Sequence, residues 1–315
     1  MVILYQVSYD GLSRNPCMEH LLLEYPSIIR WHHISSNPGM ELLLSRNKDK
    51  IDWFFASSNY GLQYLIEQNQ DCINWIELSK NPSCTHLLSE RTIYWSNLCL
   101  NPSDMALGIL MRNTDKINWR NLSLNPNPYA IDLLERNLSK VDWSNLSMNP
   151  SAMRLLYPNL HKVDWSRLSA NPSAIDLITQ NIGDANLTLL SSNPNSIRFL
   201  QVFPEFIDWR GLSANPNALE ILMMNVECID WEEFSANPAL SYYSQDLREY
   251  LQTNTNQDNP EEDVVPDSAD DLLPADSLPS ADGMPSAESD HPPALPTTEE
   301  PEVLRVYDSR LLYLI

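Results

Sequence analysis

Apolar and polar positions alternate along this chain with a long period. The stretch from Val163 to Asn181, VDWSRLSANPSAIDLITQN, recurs with variations from the N-terminus to about residue 250. An Asn marks each copy, at positions 15, 37, 59, 81, 101, 125, 149, 171, 193, 215 and 237, so the spacing is 22 residues with one step of 20 and two of 24. Pro follows every one of these except Asn59, where Tyr60 stands instead. A period of roughly 20–50 residues is the signature of a repeat array. Within each unit the pattern predicts two short helices. W-x-x-L-S-x sets an aromatic and an aliphatic side chain three apart on one face. Asp or Asn before the aromatic residue is placed to cap the first helix. The residue before a proline is pushed out of the α region, so that helix ends at the Asn. The same Asn is expected to cap a second helix with Pro in its first position. That helix carries A-I-x-L-L, as at Ala174, Ile175, Leu177 and Ile178, and often stops at an Asn suited to a left-handed closing residue.

Neither helix reaches the ~12–15 residues at which an isolated helix becomes marginal, so each pair must be stabilised by its neighbours. The expected fold is all-α: a solenoid of about eleven two-helix repeats over residues 9–251, after a lead-in at 1–8. Stacked at about 8–10 Å per unit, it would be a curved rod on the order of 80–110 Å long. A leucine-rich-repeat horseshoe shares the period and the Asn but needs an L-x-L strand where this chain has W-x-x-L. The expected core columns are the tryptophans Trp31, Trp53, Trp75, Trp95, Trp119, Trp143, Trp165, Trp209 and Trp231, with the Leu three residues on and the Ala and Leu-Leu of the second helix. Tyr9 and Leu187 take the place of Trp in units one and nine, where Phe199 and Phe203 are candidates to fill the lost volume. The first unit reads as atypical and the eleventh, with Tyr242, Tyr243, Leu247, Tyr250 and Leu251, as a C-terminal cap.

Composition changes the picture after residue 251. Residues 252–302 are rich in Pro, Asp, Glu and Ser, and the stretch 252–303 holds 14 acidic side chains and no Lys or Arg. Such a segment buries too little apolar surface to offset its ordering entropy and is expected to be disordered. Residues 303–315 turn apolar again and read as a docking segment, with Leu311, Leu312 and Tyr313 as candidate contacts. The formal net charge is −22, and outside the acidic tail the balance is still negative. That balance argues against a phosphate-backbone partner. No apolar run approaches the ~20 residues that span a bilayer, and the first residues lack a basic leader, so an intracellular, non-secreted protein is expected. Five cysteines in repeat columns read as reduced packing residues.

Candidate chemistry adds little. The six histidines show no metal or catalytic spacing, and Cys84 and His86 occupy columns where Cys17 and His20 recur. Ser stands four residues after the aromatic position in ten of the eleven units, which suits a repeated hydrogen bond between the first helix and the Asn-Pro turn, not a nucleophile. No catalytic residue, cofactor or metal is expected. The two positions after Trp vary from unit to unit, as recognition positions do. There His32, His33, Phe54 and Phe55 form an apolar patch if exposed, or pack locally if not. The repeat W-x-x-L-S-x-N-P-x-A-I-x-L-L, over about residues 7–250, resembles repeats in uncharacterised proteins of giant nucleocytoplasmic DNA viruses. The resemblance implies a viral or virus-derived origin and brings no activity with it. Three functions are therefore expected in descending order: a non-enzymatic scaffold binding a host or viral protein, in the host cytoplasm; a structural virion component; and a helical-repeat reader of nucleic acid.

Overall fold

The computed structural model describes residues 6–254. The expected tail, its docking segment and Leu311, Leu312 and Tyr313 lie outside the described residues. Among the described residues the chain is helical and contains no strand, which removes the horseshoe.

Unit seven shows how the sequence builds the repeat. Its first helix, Trp143–Met148, opens at Asp142, whose carboxylate accepts from the Asn145 amide. It ends at Asn149, held extended at φ −79°, ψ 115° by the following Pro. After a single tight turn, Pro150–Ala152, the second helix runs Met153–Leu156. The capping expectation holds widely: Asp52, Asn74, Asn118, Asp164, Asn186, Asp208 and Asp230 all cap the helix that follows them.

Three local expectations are corrected. The Asn-Pro pair is mostly a turn of its own, not the start of the second helix. In unit two the Asn37 side-chain oxygen accepts from the Gly39 amide, and the helix begins only at Glu41 (Glu41–Arg46). An α-helix with a capped Pro start occurs in unit six, Asn127 followed by Pro128–Glu135, where the cap is not the repeat-marking Asn125. In units seven and eleven Asn149 and Asn237 cap a Pro-led 3₁₀ turn that runs straight into the helix. The Asn closing the second helix is not left-handed. Asn47 sits at φ −131°, ψ 55°, and its side-chain amide donates to the Leu43 carbonyl at 2.8 Å. Asn69, Asn113, Asn137, Asn159, Asn181 and Asn225 repeat this bond, which satisfies a carbonyl the helix end leaves without a partner. A short 3₁₀ turn, such as Lys48–Lys50, then leads to the next Trp.

The core also differs from expectation. All nine tryptophans are only half-buried. The fully buried column is the residue three further on (Ile34, Ala56, Leu78, Leu98, Leu122, Leu146, Leu168, Leu190, Leu212, Phe234), together with the second-helix Leu pairs. The reason is helical geometry: Trp opens the first turn, so its ring lies at the edge of the packed layer while the residue one turn later points into it. In unit nine, where Trp is missing, Phe199 and Phe203 are buried with ring centroids 5.0 Å apart.

Polar columns are buried beside the apolar ones. The eleven Asn are at most 4 % exposed, and each donates its side-chain amide to the carbonyl of the Ser, or of Cys99, in the preceding unit. Asn171, for example, bonds the Ser147 carbonyl at 3.0 Å and the Asn149 carbonyl at 2.9 Å. The Ser hydroxyl also reaches across the junction, where a bond to the Asn-Pro turn was expected. Ser35 donates to the Trp31 carbonyl and accepts from the Asp52 amide of the next unit, both at 2.9 Å. Cys99 substitutes in this column, its sulfur accepting from Asn118 at 3.3 Å. No buried side-chain polar atom among the described residues lacks a partner.

The circuit of junctions closes. Asn15 of unit one donates to the carbonyls of Ser235 (3.2 Å) and Asn237 (2.7 Å) in unit eleven. The Ser8 amide donates to the Ser235 hydroxyl at 2.9 Å. The same bonds join the other units to the one before, except that Asn37 and Asn59 reach only the Ser carbonyl and that Cys99 replaces one Ser. Tyr9–Arg14 lies against Trp231–Ala236 as consecutive Trp helices do elsewhere. The long last helix, Ser244–Asn254, meets the second helix of unit one, Glu19–Glu24: the Arg248 guanidinium holds Glu24 through two bonds of 2.8 and 3.0 Å. The open rod expected from the sequence is thus corrected, and so are the atypical end and the cap. Among the described residues, units one and eleven are each other's neighbours.

Candidate partner-binding face

The position after Trp is exposed in nearly every unit: Asp10, His32, Phe54, Ile76, Ser96, Arg120, Ser166, Thr188, Arg210 and Glu232, with Ser144 half-buried. The next position faces the neighbouring unit and is tied to it. Asn97, Asn121 and Asn145 each donate to the carbonyl of the preceding unit's exposed position, Ile76, Ser96 and Arg120, at 2.9–3.0 Å. Gly211 takes the same place in unit ten because a Cβ there would lie 2.2 Å from the Thr188 carbonyl oxygen. One column is therefore free to vary while its neighbour holds the stack.

Of the sequence-predicted contacts, Phe54 is 49 % and Phe55 38 % exposed, so the packing alternative fails for both rings. They meet edge to face at 5.2 Å. His32 is exposed and His33 half-buried, with ring centroids 3.9 Å apart. Burial first, then the neighbouring imidazole, pushes the His33 pKa down. Ile76, 41 % exposed and not singled out from the sequence, extends the arc by one unit. Its signal was available, because it is the only aliphatic side chain at the position after Trp. The arc His32–Phe54–Ile76 thus runs over three consecutive units. At its unit-one end Asp10 binds Arg30 at 3.4 Å and lies 3.8 Å from His33.

The rest of the column is polar, and the cations in and beside it are engaged. Arg210 pairs with Glu233, Arg120 with Asp142 and Lys80 with Glu77, and Arg167 donates to Asn145. Two lysines from the 3₁₀ turns lie over tryptophans of the preceding unit, Lys140 on Trp119 at 4.7 Å and Lys162 on Trp143 at 4.6 Å. No group of three His, Cys, Asp or Glu among the described residues is placed to hold a metal, and no described helix is long and apolar enough to cross a membrane. Cys84 and Cys99 are buried, and burial lifts the Cys84 thiol to about 11; Cys17 and Cys72, expected as packing residues, are exposed.

No family model, curated protein or solved structure matches the chain. Its function is therefore argued from its own geometry.

Proposed function

We propose that the eleven units form a closed α-solenoid ring that acts as a non-enzymatic scaffold, holding another polypeptide against the exposed face of its Trp helices. What carries the reading is the contrast between columns. Asn, Ser and the buried Leu repeat around the circuit, while the position after Trp diverges and gathers an apolar arc at His32, Phe54 and Ile76. Exposed apolar clusters of this kind mark interaction surfaces. Repeat arrays vary their exposed positions over a fixed core. The Trp helices belong on the inner wall, because they approach one another closely enough to demand glycine at Gly211. At interaxial spacings of about 8–10 Å, eleven of them close a circle about 30 Å across its helix axes, room for an extended chain or a single helix. Nucleic acid fits less well, since the arginines of this face are paired or hydrogen-bonded within the ring.

The test places a photo-crosslinking amino acid at Phe54, or at Ser166 as a control, in the full-length chain within cells that produce it. A discrete adduct from position 54, absent from 166 and lost in an Ile76→Ser background, is expected. Equal labelling from both positions, or none, refutes the reading. An adduct between copies of the chain would favour a structural lattice such as a virion component.

A further inference from the structure

At the junction of units eleven and one an open groove of about 630 Å³ is lined by Trp231, Asp230 and Glu232 on one side and Gln6, Ser8 and Asp10 on the other. The repeat shows what such a place accepts. Lys140 and Lys162 each stand three residues before a Trp and lie over the Trp ring of the preceding unit. At this junction the residue three before Tyr9 is Gln6, which lines the groove together with Trp231. The slot that a lysine fills twice elsewhere is here left without one, and carboxylates line it. Asp10 is shared with Arg30, and Asp230 caps the helix by accepting from the Glu233 amide. Glu232 has no ion-pair partner among the described residues and is exposed.

We propose that this groove is a cation site which takes the lysine or arginine side chain of a partner polypeptide against the Trp231 ring, between Glu232 and Asp10. An indole face attracts an ammonium or guanidinium through its quadrupole, and a nearby carboxylate adds to that attraction. The proposal deepens the scaffold reading and rests on it, since it names the chemistry of what the face holds. It also sets a spacing. Phe54 lies two to three units further round, about 20–30 Å at 8–10 Å per unit, which an extended chain covers in about six to nine residues. The partner segment carries a basic residue and, that far along, a large apolar one.

The experiment uses the full chain with all its tryptophans replaced by fluorotryptophan and read by fluorine NMR, the Trp231 resonance being assigned with Trp231→Phe. The probe is N-acetyl-lysine methylamide, and the control is its norleucine counterpart. The Trp231 resonance is expected to move saturably with the lysine probe in the millimolar range. Glu232→Gln is expected to weaken that response about three- to fivefold. The Trp119 and Trp143 resonances, whose ring faces the chain's own lysines hold, are expected to stay still, and Lys162→Met is expected to make Trp143 responsive. No movement at Trp231, an equal response to norleucine, or a uniform shift of every indole overturns the proposal. Each of those failures leaves the crosslink from position 54 unaffected, so the cation site and the scaffold reading fail separately.

Discussion

Gly11→Ala tests whether the circuit closes, because closure reverses the sign of its effect. Gly11 sits in the first turn of Tyr9–Arg14, where alanine improves helix propensity by about 1 kcal/mol over glycine. If unit one were a free end, the variant would be stabilised. In the structure a Cβ on Gly11 lies 2.4 Å from the Ser235 Cβ and 2.9 Å from the Glu232 carbonyl oxygen. Neither obstacle is the far end of a flexible chain, so relief requires the two helices to part. Overpacking of this kind costs about 1–3 kcal/mol and also threatens the neighbouring Ser8 and Asn15 bonds. The expected net effect is a loss of about 1–2 kcal/mol, read as a lower urea midpoint at unchanged slope. Gly211→Ala, which places a Cβ 2.2 Å from the Thr188 carbonyl, should behave alike, because the two junctions are equivalent. Gly108→Ala is the control: its nearest neighbour is the Arg112 Nη1 at 3.8 Å, so it should gain up to about 1 kcal/mol. A Gly11→Ala protein stabilised like Gly108→Ala would refute closure.

Other outcomes follow from the same contacts. Asn149→Ala removes two donors from the buried Ser123 and Asn125 carbonyls and should cost about 2–4 kcal/mol in a urea melt. The Arg248 guanidinium holds the Glu24 carboxyl below the usual carboxylate range, so the contribution of this pair is present above the unfolded pKa and is lost as pH falls through the folded one. Comparing urea midpoints of the native chain and Arg248→Gln from neutral to acid pH should show the difference closing as Glu24 is protonated. Cys17 and Cys72 should react with a thiol reagent in the native protein, while Cys84 and Cys99 should react only after unfolding, as counted by mass spectrometry.

Much of the repeat was legible in the sequence. The period, the Asp and Asn caps and the break at Asn-Pro follow from local rules that tertiary packing does not override. Three readings failed for identifiable reasons. The tryptophans were assigned to the core by size, but their place in the first turn leaves each ring at the edge of the layer. The Asn and Ser columns were read as local caps because the sequence does not show that their free donors and acceptors point at the next unit. Closure was not visible because curvature per unit is set by inter-unit packing. The one available hint was the match of Gly11 with Gly211, two glycines at the same column in a chain with only seven. Phe54 and Phe55 were found from the sequence because both positions after Trp differ from unit to unit, whereas the Trp231 groove could not be found before unit one was known to adjoin unit eleven.

A closed circuit fixes its own membership. An open array tolerates the gain or loss of a module, since each contacts only its neighbours. In the proposed ring eleven modules would share one full turn at about 33° each, and deleting one would ask every remaining junction for about 36°. The Asn and Ser bonds at each junction have little slack for that change. Duplication and loss, the usual drift of repetitive genes, should therefore be filtered at this locus, and natural variants should differ in the exposed column after Trp far more than in the number of modules.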